Sequence, residues 1–198
     1  HDVFPISGSY ATKVSEVGSL DYYGGDQPND LHCPACEIKD TCPEVSLTGL
    51  TQCAFRKEID VEDNSMVIME LEGGIKASYM QCHFTPDYSR NYTFIGTKGR
   101  IENDDVNDKI HVKTRKSGTW HEMSDITYEM KDMPGTHGGA DPRICADFVS
   151  LVLDNKKVLT SPFAARMSVA VGCTATESIR SGGKVIEIDQ GRHKPQSE

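Results

Sequence analysis

The stretch Arg90-Asn91-Tyr92-Thr93-Phe94-Ile95-Gly96-Thr97-Lys98-Gly99-Arg100-Ile101-Glu102-Asn103 reads as a strand, a tight glycine turn and a second strand. Working outward, β-prone segments recur on both sides. Upstream, residues 65–71 hold the run Met66-Val67-Ile68-Met69, Gly73-Gly74 supplies residues that tolerate φ > 0 for a turn, and residues 75–84 run back. Downstream, Ile110 and Val112 alternate with His111 and Lys113, and residues 120–130 continue the β character. Residues 60–130 therefore predict an antiparallel meander. Near the start, residues 10–23 carry Val14, Val17 and Leu20 and predict an extended segment that stops at Gly24-Gly25.

The pattern changes after residue 140. Asp141-Pro142 and Ser161-Pro162 each place a capping residue before a proline at the first helical position. Ile144, Phe148, Leu151 and Val152 recur at helical spacing after the first. Ala164, Met167, Val171, Ala175 and Ile179 do so after the second, and Gly182-Gly183 ends that helix. Residues 185–188 predict a short closing strand. Strands first and helices later predict an α+β class, with a mainly antiparallel open sheet and helices packed on one face. The other face must then be wet, cover another domain or pair with a second copy. The expected organisation is a single domain over 1–198, with a cysteine-containing loop insertion at 26–57 and a polar tail at 191–198.

Composition narrows the function classes. The chain has 198 residues, 21 basic against 30 acidic, for a net charge of -9. No basic stripe is present, which argues against a nucleic-acid partner. No apolar run approaches the ~18 residues of a membrane span. Seven cysteines without a visible signal peptide predict reduced thiols in a cytoplasmic setting. Asn91-Tyr92-Thr93 matches a glycosylation sequon but falls on a predicted strand.

Four constellations could carry chemistry. The first is Cys33-x2-Cys36-x5-Cys42 with Cys53 further on. Thiolates two residues apart can reach one ion and a third and fourth complete a tetrahedron, so structural zinc is one reading; free thiols under a loop and an iron–sulfur cluster are the others. Cys82, Cys145 and Cys173 fall in strand or helix patterns and are expected to be small core residues. The second is His83, Tyr88 and Arg90, around the break at Pro86-Asp87, where an imidazole, a phenol and a guanidinium offer donors and acceptors for a polyhydroxyl substrate, or simply form a polar hairpin end. The third is His137 in Gly135-Thr136-His137-Gly138-Gly139, leading into a helix N-terminus: either a ligand loop or a connector capped by Asp141. The fourth is His1-Asp2, for which spacing alone gives no chemical preference. Gly96-Thr97-Lys98-Gly99 is a hairpin turn with no helix after it, so no dinucleotide fingerprint can be read.

Four segments, in this order, resemble the C-terminal domain of the Gfo/Idh/MocA oxidoreductases: Tyr79-Met80-Gln81-Cys82-His83-Phe84-Thr85-Pro86-Asp87-Tyr88, the Ile95–Arg100 turn, His137-Gly138-Gly139-Ala140-Asp141 and the Ala175–Gly183 helix end. The resemblance runs from about Tyr10 to Ile188. It implies an oxidoreductase acting by hydride transfer on a CH–OH group of a sugar, inositol or polyol, with NAD or NADP bound by an N-terminal Rossmann domain absent from this chain. It further implies His1 as the catalytic base, His83, Tyr88, Arg90 and His137 at the substrate pocket, and homo-oligomer contacts through the open sheet face. The isolated domain is expected to be inactive. Two alternatives stand beside this reading. One is a zinc-stabilised scaffold or binding module held by Cys33, Cys36, Cys42 and Cys53; the other is a redox-neutral relative resembling NAD-dependent glycosidases.

Overall fold

The computed structural model describes residues 8–115, 120–130, 136–157 and 161–191. Backbone contacts divide the chain into two compact units, His1–Thr85 with Leu159–Glu198, and Pro86–Val158. Each has its own four-stranded antiparallel sheet, so the class is α+β as expected.

In the first unit β1 (Ala11–Ser19) pairs with β2 (Asn64–Leu71), β2 with β3 (Lys76–Cys82), and β1 also with β8 (Ile186–Glu187), giving the order β3-β2-β1-β8. The β2–β3 turn holds Gly73 and Gly74 at φ 75° and 78°, the left-handed conformation for which glycine is suited. Register sorts the side chains by face, because directly opposed residues point the same way. Val14 opposes Met69, and Glu16 opposes Val67; these four are buried. Val17 opposes Met66, which opposes Met80, and this row lies on the other, open face.

The buried face is covered by α2 (Pro162–Arg180). Its start is set by Ser161, whose side chain accepts from the Ala164 N–H at 3.1 Å, with Pro162 at the first position. It stops where Gly182 and Gly183 turn left-handed and the Gly183 N–H reaches the Ser178 carbonyl at 2.8 Å. Met167 and Ala175 pack with Ala11, Val14, Val67, Met69, Leu71 and Ile188 as the core. Ser178, fully buried, stitches helix to strand: its Oγ accepts from the Glu16 N–H at 2.9 Å and donates to the Lys184 carbonyl at 2.6 Å.

In the second unit β4 (Thr93–Gly96), β5 (Gly99–Asp104), β6 (Lys109–Thr114) and β7 (Ile126–Glu129) form a meander in sequence order. Gly99 is required by closeness rather than by φ: a Cβ there would collide with the Lys113 carbonyl of β6. The meander is followed by α1 (Thr136–Asp154). Its first turn is left-handed at His137, Gly138 and Gly139, so the regular helix begins beyond them, close to the predicted Asp141-Pro142 start.

Three expectations change. The meander over 60–130 is divided: β2 and β3 leave it to pair with β1, and the exposed, proline-containing segment 83–92 separates the two sheets. Alternation identifies a strand but not its partner, and here β1 is a distant one. The helical stripe Ile144, Phe148 and Val152 recurs as predicted but stays exposed, so only α2 contributes to the buried core among the described residues. Cys145 and Cys173 are exposed rather than core residues: Cys173 sits off the buried Met167–Ala175 stripe of α2, and the α1 stripe beside Cys145 is itself exposed.

Candidate active-site cavity

At one end of the first unit's sheet, β1, β2, β3 and the last turns of α2 surround a polar cavity of ≈ 140 Å³. This is well above the roughly 10–15 Å³ that one water needs. Its lining is Glu16, Glu62, Asp63, Ser65, Gln81, His83, Thr176 and Ile179. Among the described residues of the predicted set, His83 is the one that lines it.

His83 is held at three points. Its N–H donates to the Asp63 carbonyl at 2.8 Å, its own carbonyl accepts from the Tyr23 hydroxyl at 3.0 Å, and its ring is met by Gln81. The Tyr79 hydroxyl donates to Gln81 Oε1 at 2.8 Å, which turns the Gln81 NH2 toward His83 Nε2 at 2.5 Å. With the Gln81 NH2 as donor, His83 Nε2 is the accepting ring nitrogen.

Two of the carboxylates are already committed. Asp63 is almost fully buried, which pushes its pKa up. The backbone N–H groups of Asp21, Tyr23 and Tyr22, at 2.8–2.9 Å, more than offset this and hold the carboxyl below its ordinary value. Glu62 is ion-paired with Arg180, whose guanidinium is the main reason its pKa is also lowered; the same pairing raises that of Arg180. Glu16 differs. It is only 9% exposed, yet its carboxylate has no hydrogen-bond or ion-pair partner among the described residues.

Three of the other predicted residues belong to the second unit. Tyr88 and Arg90 belong to the second unit, where the guanidinium stacks 5.3 Å from the phenol ring centre. Asn103 and Asp105 anchor that loop: the Asn103 Nδ2 donates to the Arg90 carbonyl at 2.6 Å, and the Arg90 N–H donates to Asp105 at 3.2 Å. His137, also in the second unit, is exposed at φ 52° and pairs with Asp141 at 2.9 Å. His1 lies outside the described residues. Sequence reading missed Glu16, Asp63, Ser65 and Thr176. A signal existed for Glu16: it shares the inward parity of Val14 and interrupts an apolar row with a carboxylate.

A second cavity lies within the 26–57 loop. Cys33, Cys36, Cys42 and Cys53 all line it, with Ile38, Val45 and Phe55. Two bonds clamp the first and last cysteine segments together, Cys33 N–H to the Thr51 carbonyl at 2.8 Å and Cys53 N–H to the Leu31 carbonyl at 2.9 Å. All four are free thiols, and no group of three or more His, Cys, Asp or Glu among the described residues is arranged to hold a metal ion. No described helix is long and apolar enough to cross a membrane.

Residues 13–188 match the family model "Oxidoreductase family, C-terminal alpha/beta domain". The chain belongs to the Gfo/Idh/MocA oxidoreductase family. Within that family it is 24% identical over 205 residues to the Bacillus subtilis (strain 168) protein named "Putative oxidoreductase YteT", an alignment covering 83% of this chain and 48% of that protein. The chain thus spans about half the length of its curated relative. Among solved structures, levoglucosan dehydrogenase in complex with NADH and levoglucosan matches at TM-score 0.61 and 14% identity, over 92% of this chain and 46% of that one. An oxidoreductase domain protein from Kribbella flavida matches at 0.61 and 16%, over 94% and 50%. UDP-N-acetylglucosamine 3-dehydrogenase GnnA from Acidithiobacillus ferrooxidans matches at 0.56 and 14%, over 89% and 42%. At these identities the shared property is the fold of a Gfo/Idh/MocA C-terminal domain.

Proposed function

We propose that this domain is the substrate-binding and oligomerisation half of an NAD(P)-dependent oxidoreductase acting on a sugar, inositol or polyol CH–OH group by hydride transfer. The observation that carries the reading is the His83 cavity, a polar recess in a family of oxidoreductases, with an imidazole positioned by the Tyr79–Gln81 relay. The residues present do not fit a dinucleotide: the 96–99 glycine turn joins two strands and opens no helix, so the nicotinamide cofactor is assigned to a Rossmann domain outside this chain. Tyr88, Arg90 and His137 remain assigned to substrate contacts and His1 to the base.

Oligomerisation is supported by the open face of the first sheet, where Val17, Ile68, Met66 and Met80 are exposed together. A second copy of the chain is the proposed cover. Seven free thiols support a cytoplasmic setting.

The test uses the full-length protein. His83→Ala should lower kcat/KM about tenfold, the scale of one lost hydrogen bond, while leaving dinucleotide affinity unchanged. Equal loss of both would make His83 a structural residue.

A second reading is a zinc-stapled scaffold without catalysis: Cys33, Cys36, Cys42 and Cys53 line one cavity, but among the described residues no three of them are arranged to hold an ion. Metal analysis of the purified protein, with unfolding followed with and without chelator, separates the two: absence of zinc and no chelator effect would end it.

A further inference from the structure

Two of the four thiols on the loop cavity lie in one closed turn. We propose that Cys33 and Cys36 form a redox-active dithiol, a site of reversible thiol–disulfide exchange with low-molecular-weight disulfides. This chemistry is independent of the substrate-site reading, because the two cysteines line a different cavity from His83.

Cys33-Pro34-Ala35-Cys36 is a single 3-10 turn. The Cys36 N–H donates to the Cys33 carbonyl at 3.1 Å, and the Ala35 N–H to the His32 carbonyl at 3.0 Å. A turn closed in this way brings its first and fourth Cα atoms within about 7 Å, and a disulfide needs roughly 4.4–6.8 Å. Both cysteines line the same recess, walled by Ile38, Val45 and Phe55, so their side chains lie on one side of the turn. Pro34 fixes one backbone torsion inside it. Lys39 braces it from outside: its Nζ donates to the Pro34 carbonyl at 3.3 Å and its N–H to the Cys36 carbonyl at 3.4 Å. Much of the ordering that disulfide closure requires is therefore present in the reduced state. The other two thiols are held elsewhere. Cys53 Sγ accepts from the Phe55 N–H at 3.4 Å, and Cys42 belongs to a separate turn, its N–H on the Ile38 carbonyl at 3.0 Å.

Exposure gives the two sulfurs different roles. Cys36 is half-buried and meets the reagent, whereas Cys33 is buried and can reach only its neighbour. The Cys36 thiolate attacks one sulfur of an incoming disulfide; a mixed disulfide forms on Cys36, the reagent's own S–S bond breaks, and one small thiolate leaves. The Cys33 thiolate then attacks the Cys36 sulfur, forming the Cys33–Cys36 bond and expelling the second small thiolate. The two protons lost by the cysteines pass to the two leaving thiolates, so two protein thiols are oxidised and one disulfide is reduced to two thiols. A disulfide in a reducing compartment is transient, which fits reversible exchange better than a permanent staple.

The test incubates the full-length protein with mixtures of oxidised and reduced glutathione, blocks the remaining thiols and maps the peptides by mass spectrometry. In wild type the peptide holding Cys33 and Cys36 should lose two hydrogens as the mixture becomes more oxidising, and regain them with dithiothreitol. Cys33→Ser should instead trap glutathione on Cys36, because the resolving thiol is gone; Cys33→Ala repeats the trap if the serine variant does not fold. Cys36→Ser should leave Cys33 reduced and unmodified. Linkage of Cys33 to Cys42 or Cys53, or no crosslink at any glutathione ratio, would overturn the inference. So would zinc that copurifies with the protein and keeps all four thiols unreactive until a chelator removes it, an outcome that supports the zinc-stapled scaffold instead.

Discussion

Replacing Asp63 tests how the first unit holds its site. The carboxylate accepts from Asp21 N–H and Tyr22 N–H at 2.9 Å and from Tyr23 N–H at 2.8 Å, and so fixes the corner where the chain leaves β1. Hydrogen bonds to a charged group are each worth about 1.5–3 kcal/mol. The three donors share one acceptor group, and Asp21 and Tyr22 are exposed enough for their N–H groups to regain water. Asp63→Ala should therefore cost about 2–4 kcal/mol rather than the full sum. Asp63→Asn keeps the shape and one oxygen but turns an NH2 toward a backbone donor, and should cost about half as much. Urea unfolding at neutral pH reads this as a midpoint shift of about 1–2 M at unchanged m, taking m as roughly 2 kcal/mol/M. The same corner positions His83 through the Tyr23 hydroxyl, so amide protection at 21–23 and at His83 should fall together in the alanine variant. A midpoint within about 0.3 M of wild type, or equal losses in the two variants, would refute the claim that the acceptor oxygens organise this corner.

Two further outcomes are expected. Asp125 is held at about 2, against an ordinary 3.8, first by the Thr114 hydroxyl and N–H and then by Lys113, outweighing its desolvation. Because the folded value is depressed, its stabilising contribution is complete above pH 3.8 and is lost as pH falls through 2. Asp125→Asn should therefore destabilise the β6–β7 sheet at pH 6 and make little difference near pH 2, measured by hydrogen exchange at both values. On the open face, Ile68→Glu puts a charge beside the Val17, Met66 and Met80 row, and sedimentation velocity should show the full-length oligomer falling to a smaller species with the fold intact. An unchanged sedimentation coefficient would remove that face from the interface.

Local signals carried well from residues to elements. Ser161-Pro162 starts α2, Gly182-Gly183 ends it, and Gly73-Gly74 turns β2 into β3, because caps and left-handed residues act over one turn of chain and need no distant partner. The site was legible only in part. His83 is one of its residues because it ends a strand, whereas Tyr88 and Arg90, adjacent in sequence, belong to the other unit. Asp63 and Thr176 carry no motif; they matter through which carbonyls, hydroxyls and N–H groups the fold sets beside them.

By itself the sequence determined strand and helix identity, the capping chemistry, the acidic balance and the family. Tertiary structure decided that β1 and β8, more than 160 residues apart, close one sheet with β2 and β3, and that the Glu16 carboxylate lines a cavity with no partner among the described residues. The division has a physical cause. Periodicity and capping are properties of neighbouring residues, while strand partnership and the solvation of a carboxylate depend on which distant atoms arrive next to them.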